Sequence, residues 1–215
     1  MDMIRVARAL TELVPINFAI HISLVLISLT IAILIGIPLG ILLSRNKVRV
    51  TSNIALQLLN TLQTIPAFAF IAISIPLLGF GYLPTIVVLV IQAVLPIVKG
   101  TMVGMLEVDN KAREAAKGLG MTDMEVLREL EIPLSTPYIL NGIKTSSTYV
   151  VSISTLAGFI GAGGLGVLIS SGIAMLYPEY LFIGASLCAV IALTMNFFIE
   201  KIETKLMIKV FGSDD

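Results

Sequence analysis

Residues 148–166 read "TYVVSISTLAGFIGAGGLG", and two incompatible folds compete for them. Gly161, Gly163 and Gly166 fit G-x-G-x-x-G, the run before them is rich in β-branched residues, and an acid, Glu179, follows. That is the outline of a dinucleotide-binding turn, which requires a strand before it, a helix after it and a βαβ unit around both. The same residues also lie in a stretch without Asp, Glu, Lys or Arg from Thr145 to Pro178, as in a membrane helix. The rest of the chain decides between the two.

Composition favours the membrane. Of 215 residues, 57% are hydrophobic and 13% charged, against roughly 45–50% and about 25% in soluble domains. Mean hydropathy is +1.00. Too few polar groups remain to cover a soluble exterior. Net charge is zero, so no basic field points to nucleic acid. The single cysteine, Cys188, and the single histidine leave no internal disulfide and no cysteine- or histidine-rich metal site.

Charges are also missing from Leu13 to Ser44, Val50 to Val98 and Tyr180 to Ile199. A membrane helix needs about 20 mostly apolar residues. Five spans are expected near 18–43, 54–78, 84–106, 136–158 and 180–200, with "GFGYLP" (79–84) as the turn between the second and third. Arg45, Lys47 and Arg49, the basic residues between Lys99 and Lys144, and Lys201, Lys205 and Lys209 then fall on one side. That side holds all but Arg5 and Arg8 of the fourteen Lys and Arg. It is read as cytoplasmic, which leaves the N-terminus outside and the C-terminal tail, 206–215, inside. Grouping Lys99 and Lys144 with the third connection leaves no charge deep in a span, which disfavours a proton- or sodium-coupled transporter. The first apolar run is longer than a signal-peptide core of roughly 7–15 residues, so it reads as a retained span. Residues 1–16 read as an amphipathic lead-in on the outer surface, or a frayed terminus.

The one long charged segment is 107–135. Asp109 is placed to cap a short helix ending at Gly118 or Gly120, and Thr122 with Glu125 forms a capping box for a second. Pro133 is expected to stop that helix near Glu131, and residues 121, 124, 127 and 130 to form its apolar seam. Residues 110–131 carry four basic and five acidic side chains, so a helix-turn-helix on DNA is unsupported.

Here the chain resembles the permeases of ATP-binding-cassette (ABC) importers, whose cytoplasmic motif is E-A-A, three residues, G, nine residues, I-x-L-P. Glu114, Ala115 and Ala116 are followed by Gly120, and then by Leu130, Glu131, Ile132 and Pro133, with Leu130 and Ile132 exchanged relative to the pattern. The resemblance covers roughly 17–205. It is nearest to osmoprotectant permeases for glycine betaine, carnitine or choline, through "LLNTLQTIPAFAF" (58–70), 75–101 and "FIGAGGLG" (159–166). Methionine-type permeases are the nearest rival, and an ATP-independent secondary transporter a third reading.

The resemblance implies an all-α type I permease fold with a coupling helix between spans three and four. The implied partners are two ATPase subunits, a second permease (identical or homologous) and an external solute-binding protein, all in a bacterial plasma membrane. ATP and Mg would belong to the ATPases, since the sequence contains no G-x-x-x-x-G-K-[ST]; no cofactor is expected on this chain and no enzymatic activity of its own. Glu114, Ala115, Ala116, Gly120, Leu130, Ile132 and Pro133 would couple to the ATPase, with Glu114 anchoring the loop.

Asn60, Gln63 and Thr64 precede Pro66. Thr145, Thr148, Ser152 and Thr155 share one helical face. Both groups are candidates for the solute path, although small hydroxyls also serve helix packing in membranes. Phe159, Gly161, Gly163, Gly164 and Gly166 then form a candidate outer gate, and Glu179 becomes a surface charge.

Overall fold

The structure, a computed structural model, describes residues 3–45 and 49–212. Asp2, Lys47 and the end of the tail lie outside the described residues, as do the side chains of Arg49 and Lys209. Every regular element among the described residues is helical.

Helix α1 runs over Met3–Ser44. It is followed by α2 (Arg49–Gln63), α3 (Ala67–Leu78), α4 (Tyr82–Glu107) and α5 (Asn110–Gly118). A long helix, α6, starts at Asp123–Glu125, passes a π turn at Val126–Glu131 and continues as Ile132–Ser154. Helices α7 (Gly166–Ala174) and α8 (Pro178–Phe211) complete the chain. Three of these, α1, α4 and Pro178–Ile208 of α8, are long and apolar enough to cross a membrane; α2 and α3 make a fourth if the bent pair counts as one. The described part of the lead-in is helical from Met3. It continues into α1 through a π turn at Ala9–Leu13, and Arg5 stacks on the Tyr177 ring at 4.0 Å.

Helices α1, α4 and α6 pack along their lengths around Leu24, Val25, Ala32, Leu89, Ala93, Ile97 and Val150. Small residues set the spacing. A Cβ on Gly40 would lie 2.6 Å from Thr101 Cβ, and one on Gly142 2.7 Å from the Pro96 carbonyl. Without a hydrophobic drive between helices in lipid, such close backbone approach supplies the contact energy. Large apolar side chains of α8, including Phe182, Leu193, Phe197 and Phe198, face outward. An outward apolar surface is stable only against an apolar solvent.

Two expected elements differ. The span expected over 54–78 is broken, with α2 and α3 meeting at 86°. Pro66 is the N-cap of α3 and has no N–H, and the residue before a proline is driven from helical geometry. The second helix of the charged segment does not stop at Pro133. The N–H of Ile132 donates to Leu127 O, five residues back, and the wider turn carries the chain past the proline, which takes a first-turn position in the continuing helix. The π turn also rotates the buried face. Val126 and Glu131 are buried, whereas Met124 of the expected seam is exposed.

Helix α6 carries several hydroxyls on its packed face. Ser135, Ser146, Ser147 and Ser154 are buried. Ser146 Oγ donates to Ala93 O on α4 at 2.6 Å, and Ser154 Oγ meets His21 Nε2 on α1 at 3.0 Å. Internal partners make Ser146, Ser147 and Ser154 tolerable away from water, whereas Ser135 Oγ has no hydrogen-bond partner among the described residues.

Candidate functional site

Two polar regions lie along α6. The first is at its N-terminal end. Asp109 caps α5 by accepting from the Lys111 N–H at 2.9 Å, and the Thr122–Glu125 capping box is formed in both directions. The N–H of Met121 closes α5 onto Ala116 O at 3.2 Å. Gly120 has φ +92°, and a Cβ there would meet nothing within 4 Å, so glycine is required by backbone conformation and not by space. Ala116 packs inward, while Glu114, Ala115 and Leu119 face out. Leu130, Ile132 and Pro133 are half-buried.

Glu114 does not anchor this hairpin; it is exposed and without hydrogen bond or ion pair among the described residues. The anchor is Glu131, 1% exposed. Its Oε1 accepts from Arg113 Nε at 2.7 Å and from Arg45 Nη1 at 3.1 Å, and Arg45 Nη2 binds Oε2. Arg113 also donates to Asn110 Oδ1 at 2.6 Å and to the Met105 carbonyl at 2.5 Å. One cluster therefore joins the ends of α1 and α4 to α5 and α6. Lys117 pairs with Asp123 at 2.6 Å and holds that carboxyl below the usual carboxylate range. The Thr122 backbone and hydroxyl lower Glu125 in the same way.

The second region is a cleft of about 340 Å³ between α2, α4 and α6. Gln63, Lys99, Tyr138, Asn141, Thr145 and Tyr149 line it. Of the residues expected on a solute path, this cleft brings Gln63 and Thr145 together. Thr148 lines an adjoining hollow with Lys144 and Asn196. Ser152 and Thr155 continue the same face of α6 toward Phe159, and Ser152 and Phe159 are exposed. Asn60 and Thr64 lie exposed on either side of Gln63, outside the cleft lining. The hydroxyls of Thr145, Thr148, Ser152 and Thr155 all donate to carbonyls of their own helix. Only Thr148 reaches another helix, at Asn196 Oδ1, 3.4 Å away. Apart from that contact, these hydroxyls make no bond between helices among the described residues.

Lys99 and Lys144, grouped by sequence with the charged connection, both lie within helices, Lys99 inside α4 and Lys144 inside α6. Lys144 is paired with Glu200 of α8 at 2.5 Å. Lys99, half-buried, has no hydrogen bond or ion pair among the described residues. The run "QAVLPIVKGTMVG" (92–104) carried that signal, a lone cation amid apolar residues.

The glycine string lies at the other end of α6. A 3₁₀ turn, Thr155–Ile160, ends at Gly161 in the left-handed region, and α7 begins at Gly166. The preceding run is helical, so the dinucleotide reading fails at its first requirement. A Cβ on Gly166 would overlap the Thr155 carbonyl oxygen, and Gly163 and Gly164 close over Ile20 and His21 of α1. Gly81 donates to Ile160 O at 2.9 Å, tying in the α3–α4 turn. Glu179 is buried at the first turn of α8, not a surface charge; a helix N-terminus is a favourable place for a carboxylate.

Residues 36–207 match the family model of the binding-protein-dependent transport system inner membrane component. This chain belongs to that family. Such a permease component is a membrane-transport subunit, not an enzyme in its own right. Among curated relatives of this permease, the choline transport system permease protein OpuBB of Bacillus subtilis (strain 168) is 40% identical over 186 residues, covering 86% of this chain and 85% of the relative. The glycine betaine/carnitine/choline transport system permease protein OpuCB of the same organism is 39% identical over the same shares. The osmoprotectant import permease protein OsmY of Salmonella typhimurium (strain LT2) is 38% identical, covering 82% of this chain and 75% of the relative. An inward-facing structure of the MetNI methionine ABC transporter matches the permease fold with TM-score 0.76 at 22% identity, over 87% of this chain and 93% of that one.

Proposed function

We propose that this permease is the membrane path of an ATP-driven importer for a quaternary-ammonium osmoprotectant: glycine betaine, carnitine or choline. The observation that carries the reading is that one continuous helix, α6, starts at the capped hairpin, whose other arm α5 carries the E-A-A motif, and goes on to present the polar face of the cleft. Motion delivered to the hairpin therefore reaches the solute path through a rigid element.

In this reading α1, α2 with α3, α4, α6 and α8 are five crossings. The Lys/Arg-rich hairpin end is cytoplasmic and the N-terminus external. Of the two ATPase subunits, which supply the ATP and Mg chemistry, one docks on the exposed face of α5 around Glu114, Ala115 and Leu119. A second permease copy or homologue covers the exposed polar face of α6, and an external binding protein delivers the solute near Phe159 and the glycine turn, which acts as the outer gate. Relatives named for osmoprotectants at about 40% identity support this substrate class over methionine, since the methionine likeness is one of fold.

Purification of the chain with its membrane partners, followed by reconstitution in vesicles, tests the reading. Uptake of labelled betaine, carnitine or choline should require both ATP and the binding protein. Robust uptake by this chain alone, without ATP, would overturn it.

A further inference from the structure

We infer that Glu131 is the joint through which the coupling hairpin moves the membrane bundle; this rests on the importer reading above. Three helices meet at this carboxylate, and a fourth is tied to it through Arg113. It projects from the π turn of α6 and accepts from Arg45 at the end of α1 and from Arg113 of α5. Arg113 in turn holds Asn110 at the start of α5 and the Met105 carbonyl near the end of α4. Glu131 and Arg113 together thus make a hydrogen-bonded link from the hairpin to both α1 and α4.

The chemistry suits a transmitting joint. The buried carboxylate is the shared counter-charge of two guanidiniums, so removing it leaves both without their partner, whereas removing one guanidinium leaves the carboxylate paired with the other. Arg45 engages both carboxylate oxygens, a geometry with directional stiffness. The cluster therefore resists sliding and shear, and a displacement of α5 drags the ends of α1 and α4 with it. The π turn is what makes this possible. It offsets Glu131 from the face that residues 121, 124 and 127 would share in a regular helix, and turns it inward beside Val126. Glu114, by contrast, has no partner in the bundle and remains available to the ATPase. Glu131 is thus a positioning residue for coupling, not a docking residue.

Glu131→Gln preserves shape and removes the charge. In vesicles holding the full assembly, it should leave ATPase docking and basal ATP hydrolysis within about twofold of wild type, and lower solute moved per ATP by tenfold or more. Glu131→Asp should recover part of that loss. A solute-independent readout uses Thr145→Cys in the cleft, labelled by a membrane-impermeant maleimide. Nucleotide trapping should change its labelling in the otherwise wild-type chain and not with Glu131→Gln.

Arg45→Gln leaves the Arg113 contact in place, so it should assemble and still lose coupling severalfold. If Glu131→Gln fails to assemble and Arg45→Gln couples normally, the joint is refuted. It is equally refuted by wild-type solute-to-ATP ratios in Glu131→Gln. A wild-type assembly that moves no solute with ATP, yet shows nucleotide-dependent Thr145→Cys labelling abolished by Glu131→Gln, would overturn the substrate reading and leave the joint standing.

Discussion

Replacing Gly166 by alanine places a methyl group against backbone, and the cost follows from what it meets. The new Cβ would overlap Thr155 O and lie 2.6 Å from Thr155 C, with the Gly158 nitrogen at 3.1 Å. None of these atoms is the end of a flexible side chain, so the 3₁₀ turn and α7 must separate. Forcing extra volume into a packed site costs typically about 1–3 kcal/mol, and an immovable backbone obstacle puts this site at the upper end. For a chain of this size, each kcal/mol corresponds to roughly 2–4 °C in melting temperature, so a fall of roughly 5–10 °C is expected.

Cys188 provides the assay. It is the single cysteine and is buried, so a thiol-reactive fluorophore reports its exposure on heating in detergent. Two other glycines calibrate the result. Gly161 has φ +72° and open space, so Gly161→Ala costs only the left-handed penalty, about 1–2 kcal/mol. Gly118 is helical with open space, so Gly118→Ala should melt at or slightly above wild type. If Gly166→Ala melts with Gly118→Ala, the close packing of the glycine turn on the 3₁₀ turn is wrong.

Other expectations concern the hairpin and the cleft. Thr122→Ala removes the N-cap of α6 and should cost roughly 1 kcal/mol, visible as a small shift in the same thiol assay with assembly intact. Gly120→Asp places a side chain at φ +92° and should abolish ATPase co-purification or coupling while membrane insertion persists; normal transport would remove the lever role of the hairpin. Lys117 holds Asp123 ionised below the usual carboxylate range, so any stability the pair lends is present above the ordinary value and is lost as pH falls through the lowered one. Lys117→Met should return the Asp123 titration, followed by carboxyl NMR, toward the ordinary range. Lys99→Met removes the unpaired cation from the cleft and should change uptake of carboxylated solutes more than that of choline; equal effects on both would show that Lys99 does not meet the solute.

Much of this architecture is legible locally. The charge-free runs mark apolar helices because a charge facing hydrocarbon is costly along the whole of a span, so its absence shows in local composition. The caps at Asp109 and Thr122 are readable because each bond spans two or three residues. The helical face of Thr145, Thr148, Ser152 and Thr155 follows from periodicity alone, and the motif at 114–133 carries the family resemblance.

What the sequence could not determine depends on contacts distant in the chain or on register. Pro133 looks like a stop signal, and only the i→i−5 bond before it lets α6 continue. The same half-step in register turns Glu131 inward to meet Arg45, 86 residues away, and Arg113. Glu114 stands in the motif and Glu131 in a position the motif leaves open, so spacing favoured the wrong carboxylate as anchor. Lys99 and Lys144 group by charge with the third connection, whereas the helix lengths place them inside α4 and α6. The glycine string is the clearest case. Its residues alone allow a nucleotide turn or a helix reversal, and the choice is made by α1 packing beneath it and by Thr155 against Gly166, where no side chain fits. Composition decides that this chain belongs in a membrane; only the tertiary packing decides which polar groups are sealed within it and which are left facing the cleft.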